Sequence, residues 1–235
     1  MTAMKTMALI VAGGSGERYG GDVPKQYQMV AGRPLLSWTI SRFEKAATID
    51  QIAIVVSEEY LIYVNNRVVN PYGFTKVLKI VPGGTTRAES VLRGILSLPI
   101  STAYVAIHDA VRPLVKPSDI DLVVGEAVRH RAAILGRPVA DTVKRSRENM
   151  ILATIDRAHL FLAETPQVFQ YDLIKEAYSK CAKDKISVTD DASAVERLGF
   201  SVRLVCPTGP NPKLTRPDEL SYIKIMLEKE NEGRV

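Results

Sequence analysis

The chain has 235 residues, 46% hydrophobic and 24% charged, a balance that suits one compact core-forming domain and excludes a disordered chain. Its formal charge of +5 favours an anionic partner, but the lysines and arginines are scattered singly, without a basic tract or interleaved aromatics, so phosphorylated metabolites are expected rather than nucleic acid. No apolar run approaches the roughly 18 residues of a membrane span, and Cys181 and Cys206 have no CxxC spacing, so we expect no membrane association, no disulfide framework and a cytoplasmic location.

In chain order, the first expected element is a buried strand over Met7 to Ala12, running into a glycine-rich loop, VAGGSGERYGGDVPKQY. Helical spacing follows over Leu35 to Ala46, a strand over Ile52 to Val56, and a helix over Glu58 to Val69 that Asn65, Asn66, Asn70 and Pro71 weaken. A strand over Val77 to Val81 precedes Thr86-Arg87-Ala88-Glu89, which reads as a capping box opening a helix to Leu98. Strands over Tyr104 to Ile107 and Ala132 to Leu135 flank a helix over Ser118 to Arg131. Pro138 to Asp156 breaks this alternation: it is polar, with short strand-like pieces at Asp141 to Lys144 and Met150 to Thr154, and reads as a β-arm of about 138–158 leaving the body. Helices near Asp172 to Lys183 and Asp190 to Leu198, a strand over Val202 to Cys206 and a last helix from Pro217 complete the chain. Such alternation predicts an α/β fold, a Rossmann-like, mostly parallel twisted sheet with helices on both faces, in a single domain over 1–235 with a protruding arm.

The opening loop lies at a strand's carboxyl end, where open parallel sheets place ligands. Gly13, Gly14 and Gly16 let backbone N–H groups converge on an anion. Lys25 lacks the GK[ST] context of a Walker A loop, and Tyr19 stands where GxGxxG needs its last glycine. This is a third kind of phosphate loop, one that carries its own cations in Arg18 and Lys25. His108-Asp109 ends another buried strand, a position where a carboxylate beside phosphates suits Mg²⁺. Thr189 before Asp190 and Asp191 reads as a helix N-cap with first-turn acids.

AGGSGERYGGDVPKQY resembles the AxGxGxRxxxxxPKQ signature of sugar and polyol phosphate nucleotidylyltransferases. The series continues with GGTTRAESV (83–91), IHDAVRP (107–113), PVADTVK (138–144), DR (156–157), TPQVF (165–169), TDDASAVE (189–196) and NPKLT (211–215). Together these resemble the 2-C-methyl-D-erythritol 4-phosphate cytidylyltransferase family, whose members use CTP in non-mevalonate isoprenoid synthesis. Pro212, Val111 and the AGG triplet depart from the commoner family pattern.

The resemblance implies that Arg18, Lys25 and Lys213 are catalytic. It places CTP against Ala12, Gly13, Gly14, Ser15, Gly16, Gly83, Arg87, Ser90 and Asp109, with Mg²⁺ on Asp109. It places the polyol phosphate against Arg112, Thr142, Arg157, Thr165, Thr189 and Lys213. It also implies a homodimer in which each arm reaches the neighbouring subunit's site. Ribitol 5-phosphate cytidylyltransferase shares several of these segments and is the close alternative acceptor specificity; a non-catalytic nucleotide-binding regulator is disfavoured because Arg18, Lys25, Asp109 and Lys213 are all present. A dehydrogenase is disfavoured by the missing GxGxxG.

Overall fold

The computed structural model describes residues 5–13 and 23–233. In chain order these form β1 (Lys5–Val11), a small hairpin of β2 (Met29–Val30) and β3 (Arg33–Pro34), α1 (Leu35–Lys45), β4 (Gln51–Val56), α2 (Leu61–Val64), β5 (Val77–Pro82), α3 (Arg87–Ser97), β6 (Thr102–Asp109), α4 (Pro117–His130) and β7 (Ala132–Pro138). There follow β8 (Val143–Arg147), β9 (Met150–Ile155), β10 (Phe161–Gln170), α5 (Tyr171–Lys183), α6 (Asp191–Glu196), β11 (Arg203–Val205) and α7 (Asp218–Asn231).

Seven strands make one sheet in the order β11-β7-β10-β6-β1-β4-β5. All its pairings are parallel except those of β10, which runs antiparallel between β6 and β7. The expected mostly parallel sheet is therefore present. The central β1 and β6 are buried along almost their whole length, as strands covered on both faces must be. Alternate residues of β1 serve opposite cores. Ala8 and Ile10 join Leu36, Ile40 and Phe43 of α1 and Ile120 and Val123 of α4, whereas Met7 and Leu9 meet Val91 and Ile95 of α3, Ile174 of α5 and Val195 of α6. A third cluster ties the hairpin, α1 and α7 together through Val30, Trp38, Leu214, Ile223 and Leu227.

The chain leaves β1 toward β4 and β5, then crosses back to place β6 on the other flank of β1. This switch opens a crevice at the carboxyl ends of β1 and β6, where α/β sheets bind ligands.

Two local expectations change, and one strand is new. The helix expected over Glu58 to Val69 is instead a 3₁₀ turn (Glu58–Tyr60), the four-residue α2, a π turn (Asn65–Val69) and a second 3₁₀ turn (Asn70–Tyr72). The asparagines offer side chains that compete for the backbone, and Pro71 has no N–H to continue a helix. β10 had no sequence expectation, because Glu164, Thr165, Pro166 and Gln167 interrupt any apolar alternation; its register with β7 shifts between Ala163 and Gln167, and Pro166 occupies that irregular stretch. The N-cap of α6 is Asp190 rather than Thr189, with Asp190 accepting from the Ser193 N–H at 3.0 Å.

β8 and β9 form a separate two-stranded hairpin. Its two-residue loop has Glu148 and Asn149 at φ +49° and +64°, the backbone handedness that matches the twist of the flanking strands.

Candidate active site

The crevice is built from strand ends. At β1, the Ala12 N–H donates to Val55 at 2.7 Å, and the buried Gln26 amide donates to the Ala12 carbonyl at 2.7 Å. Gln26 thereby fastens the Lys25–Tyr27 turn, and Lys25 with it, to the end of β1. Tyr27 locks the turn from behind, stacked on Tyr60 at 4.6 Å and edge-on to Tyr63 at 5.2 Å. Gly14, Ser15, Gly16 and Arg18 lie outside the described residues.

At the carboxyl end of β5, Gly83 donates to the Val56 carbonyl at 2.7 Å. Ser90 Oγ, buried on the first turns of α3, accepts from the Gly84 N–H at 3.0 Å. It lies so close that a Cβ on Gly83 would stand 2.7 Å from it, which explains glycine there. α3 starts where expected, and Thr86 caps it by accepting from the Glu89 N–H at 3.1 Å. Glu89, however, takes the N–H and hydroxyl of Thr85 at 2.8 and 2.9 Å, so the capping carboxylate reaches one residue further back than the box predicts.

Asp109, at the end of β6, is the centre of the site. Its Oδ1 accepts from Arg87 Nε at 3.1 Å, its Oδ2 accepts from Lys213 Nζ at 2.8 Å, and Arg112 Nε stands 3.8 Å from Oδ2. Burial pushes the Asp109 carboxyl up, but Arg87 and Lys213 outweigh it and hold the group ionised well below the usual carboxylate range. Burial likewise opposes the Arg87 charge, and Asp191 and Asp109 outweigh it to hold the guanidinium above its ordinary value.

Lys213 reaches Asp109 because its loop is tied on both sides. Leu214 donates to the Val111 carbonyl at 2.9 Å, and Asn211 donates to Glu164 Oε2 at 3.1 Å and to the Thr165 carbonyl at 2.8 Å. Arg112 Nη1 donates to the Asn211 carbonyl at 2.7 Å. With Pro212 in place, the lysine still meets the carboxylate.

A buried relay sits behind Asp109. The Asp109 N–H donates to Thr165 Oγ1 at 3.1 Å, Thr165 Oγ1 donates to His108 Nδ1 at 3.0 Å, and His108 Nε2 donates to the Arg112 carbonyl at 3.1 Å. The carbonyl can only accept, which assigns the imidazole proton to Nε2 and leaves Nδ1 to receive the hydroxyl. Burial lowers the His108 pKa to about 3, so the ring is neutral throughout ordinary pH. Antiparallel pairing of β10 with β6 is what brings Thr165 opposite Asp109. Its hydroxyl hydrogen is already committed to His108.

The remaining expected residues make no hydrogen bond or ion pair to this cluster. Thr189 is exposed next to the α6 cap. Thr142 and Arg157 stand at the root of the β8–β9 hairpin, where Arg157 Nη1 donates to the Ala140 carbonyl. Sequence reading passed over Tyr178, Glu164 and Asn211 as working parts; only their partners, distant in the chain, reveal them.

Among the described residues there is no group of three or more His, Cys, Asp or Glu side chains able to hold a metal ion. A phosphate-bound Mg²⁺ needs fewer, since it takes one or two carboxylates and completes its shell with phosphate oxygens and water. The ionised Asp109 fits that requirement. The arrangement is one carboxylate gathered among cations at a crevice that suits phosphates, and among the described residues it includes no Ser-His-Asp or Cys-His nucleophile.

The model of the family described as 2-C-methyl-D-erythritol 4-phosphate cytidylyltransferase (IspD) matches residues 6–229. A relative of that name from Syntrophus aciditrophicus is 40% identical over 232 residues, covering 98% of this chain and 99% of its own; another from Pelotomaculum thermopropionicum is 38% identical, covering 98% and 97%. The crystal structure of the Thermus thermophilus cytidylyltransferase of the same name superposes with a TM-score of 0.78 at 28% identity, covering 95% of this chain and 98% of that one. Architecture, crevice and relatives agree, and the chain belongs to the 2-C-methyl-D-erythritol 4-phosphate cytidylyltransferase family.

Proposed function

We propose that the chain transfers CMP from CTP to 2-C-methyl-D-erythritol 4-phosphate, giving 4-diphosphocytidyl-2-C-methyl-D-erythritol and pyrophosphate. The observation that carries this reading is the convergence of Arg87, Lys213 and Arg112 on Asp109 at the sheet's switch point, in a chain of this family.

A phosphate monoester is largely dianionic above its second pKa of about 6, so its oxygen is already a nucleophile and needs no general base. That oxygen forms a bond to the α-phosphorus as the bond from the α-phosphorus to the bridging oxygen breaks, and pyrophosphate leaves. The protein's task is to bring two polyanions together and neutralise the charge that develops. The loop that begins at Gly13 receives the triphosphate, Lys25 and Arg18 are the cations assigned to its phosphates, and the turn of Gly83, Gly84 and Ser90 receives the cytosine. Arg112 and Lys213 serve the acceptor phosphate, while Thr165, its hydroxyl given to His108, holds the Asp109 backbone in place. Mg²⁺ held by Asp109 would supply electrophilic neutralisation of phosphate oxygens.

Lys213 gives one N–H to Asp109, and its ammonium has further donors to offer a phosphate. Thr142 and Arg157, which make no bond to this cluster, suit the site of a second subunit, and we include a homodimer joined through the arm in the reading. No helix among the described residues is long and apolar enough to cross a membrane. A cytoplasmic location fits substrates that are free metabolites.

The test is Mg²⁺-dependent pyrophosphate release from CTP, with methylerythritol 4-phosphate and ribitol 5-phosphate as parallel acceptors. Higher kcat/KM with the first supports the proposal. Preference for ribitol 5-phosphate overturns the acceptor assignment, and release with neither overturns the reaction.

A further inference from the structure

Three elements meet through one guanidinium. Arg87, at the start of α3, gives Nη1 and Nη2 to the two oxygens of Asp191 on α6, each at 2.9 Å, and Nε to Asp109 on β6 at 3.1 Å. Asp191 has 0% exposure, and its Oδ1 also accepts from the Tyr178 hydroxyl of α5 at 2.5 Å. With both oxygens taken inside the protein, this carboxylate presents no face to a ligand. The paired fork is a strong geometry, and a charge left alone in so buried a place is costly. Arg87 therefore does not swing freely onto an incoming phosphate.

Its backbone, meanwhile, lies in the turn that carries Gly83, Gly84 and Ser90. Gly84 and Ser90 are hydrogen-bonded to each other at 3.0 Å, so that turn moves as a unit with the start of α3.

We propose that Asp191 and Tyr178 are positioning residues that hold Arg87 as a strut between the nucleoside-receiving turn of α3 and the Asp109 carboxylate. The strut sets the spacing between the place where cytosine is held and the place where phosphates react. This rests on the CTP reading above. The alternative is a buried ion pair that stabilises the fold and nothing more.

Substrate kinetics separate the two. Tyr178→Phe removes one hydrogen bond with little change of shape, and Asp191→Asn removes the charge at nearly constant volume. We expect KM for CTP to rise about tenfold in Asp191→Asn and about threefold in Tyr178→Phe, while KM for the acceptor stays within about twofold. Calorimetric CTP affinity, measured without metal, weakens by similar factors. In an Arg87→Gln background, Asp191→Asn adds no further loss, because the residue it positions is gone. Folded variants with a lowered melting temperature but unchanged CTP affinity overturn the proposal, as does an Asp191→Asn effect of full size in the Arg87→Gln background. Should the wild type release no pyrophosphate with either acceptor, the reaction assignment fails by itself; the metal-free CTP affinities of the same four-way cycle still decide the strut.

Discussion

His108 shows how one buried side chain couples the site to pH. It is fully buried against Phe43, 4.8 Å between ring centroids, and neutral in the folded state, where it takes a proton only near pH 3. In the unfolded chain it takes one near pH 6.5. Between those values the unfolded state binds the extra proton, so stability is full above about pH 6.5 and falls as pH drops, by up to ~1.4 kcal/mol per unit. Moving from pH 7 to pH 5 should therefore cost the wild type about 2 kcal/mol from this residue, read as a lower urea midpoint. His108→Gln starts less stable, having lost the Thr165 bond, but loses less over the same interval. Equal losses in both proteins would show that His108 is not the group responsible. Asp109 does not confuse the comparison: its pKa is depressed, so its stabilisation is present above about pH 4 and is lost only below that. Residues of this kind are half legible in a sequence. Asp109 and Lys213 stand in short recognisable segments, and each is found at the crevice. The partnership of Arg87 with Asp191 spans 104 positions, and nothing local to either residue announces it. Tyr178 sits at ordinary apolar helix spacing and reads as core until its hydroxyl is seen on Asp191.

At the scale of the element, α3 shows why close packing outranks propensity. It approaches the sheet at Gly94, where an added Cβ would stand 2.6 and 2.8 Å from the Leu9 methyls and 2.8 Å from Val55 Cγ2. Leu9 and Val55 are both completely buried between helices and sheet, so neither has room to yield. Alanine gains up to about 1 kcal/mol over glycine within a helix. Overpacking a full core costs typically about 1–3 kcal/mol, more than cancelling that gain. Gly94→Ala should therefore lower the melting temperature, and a rise would mean that α3 can lift from β1 and β4 without loss. Such an approach cannot be read from spacing, which marks Gly94 only as a poor helix former. Elements whose signal is local were legible: β1, β4, β6 and β7 each contain a continuous apolar run, and Thr86 caps α3 as its sequence suggests. β10 was illegible because its middle bends away from regular pairing, and the residues that do so are the ones placed beside Asp109. The α6 cap was misplaced by one residue because Thr189, Asp190 and Asp191 are all acceptable cap types. Gln167 decides among them in the folded chain, donating to Asp190 at 2.9 Å and accepting from the Ala192 N–H at 2.8 Å.

For the whole molecule, alternation of strand and helix was enough to predict the class of sheet, since each strand-helix unit is covered by its own neighbour. The strand order was not, because it depends on where crossovers return, and neither was the single antiparallel member. The hairpin of β8 and β9 is the part whose structure asks for something outside the chain. Met150, Ile151 and Leu152 are 70%, 65% and 58% exposed, and the two strands pair with each other alone. An isolated two-stranded hairpin is marginal in water, and successive exposed apolar residues present both of its faces for burial. A second copy of the chain supplies that cover in the homodimer we propose, and in it Thr142 and Arg157 would serve the partner's crevice. Light scattering of the wild type at assay concentration is expected to give twice the chain mass. Ile151→Asp with Leu152→Asp should shift it to the monomer, and should lower activity even though both positions lie outside the Asp109 cluster. The sheet's own fold supports this as a clean test, because the hairpin lends it no strand and its removal from an interface leaves both cores closed. A wild-type monomer with full activity would overturn the shared arm and require Thr142 and Arg157 to be surface residues without a part in the reaction.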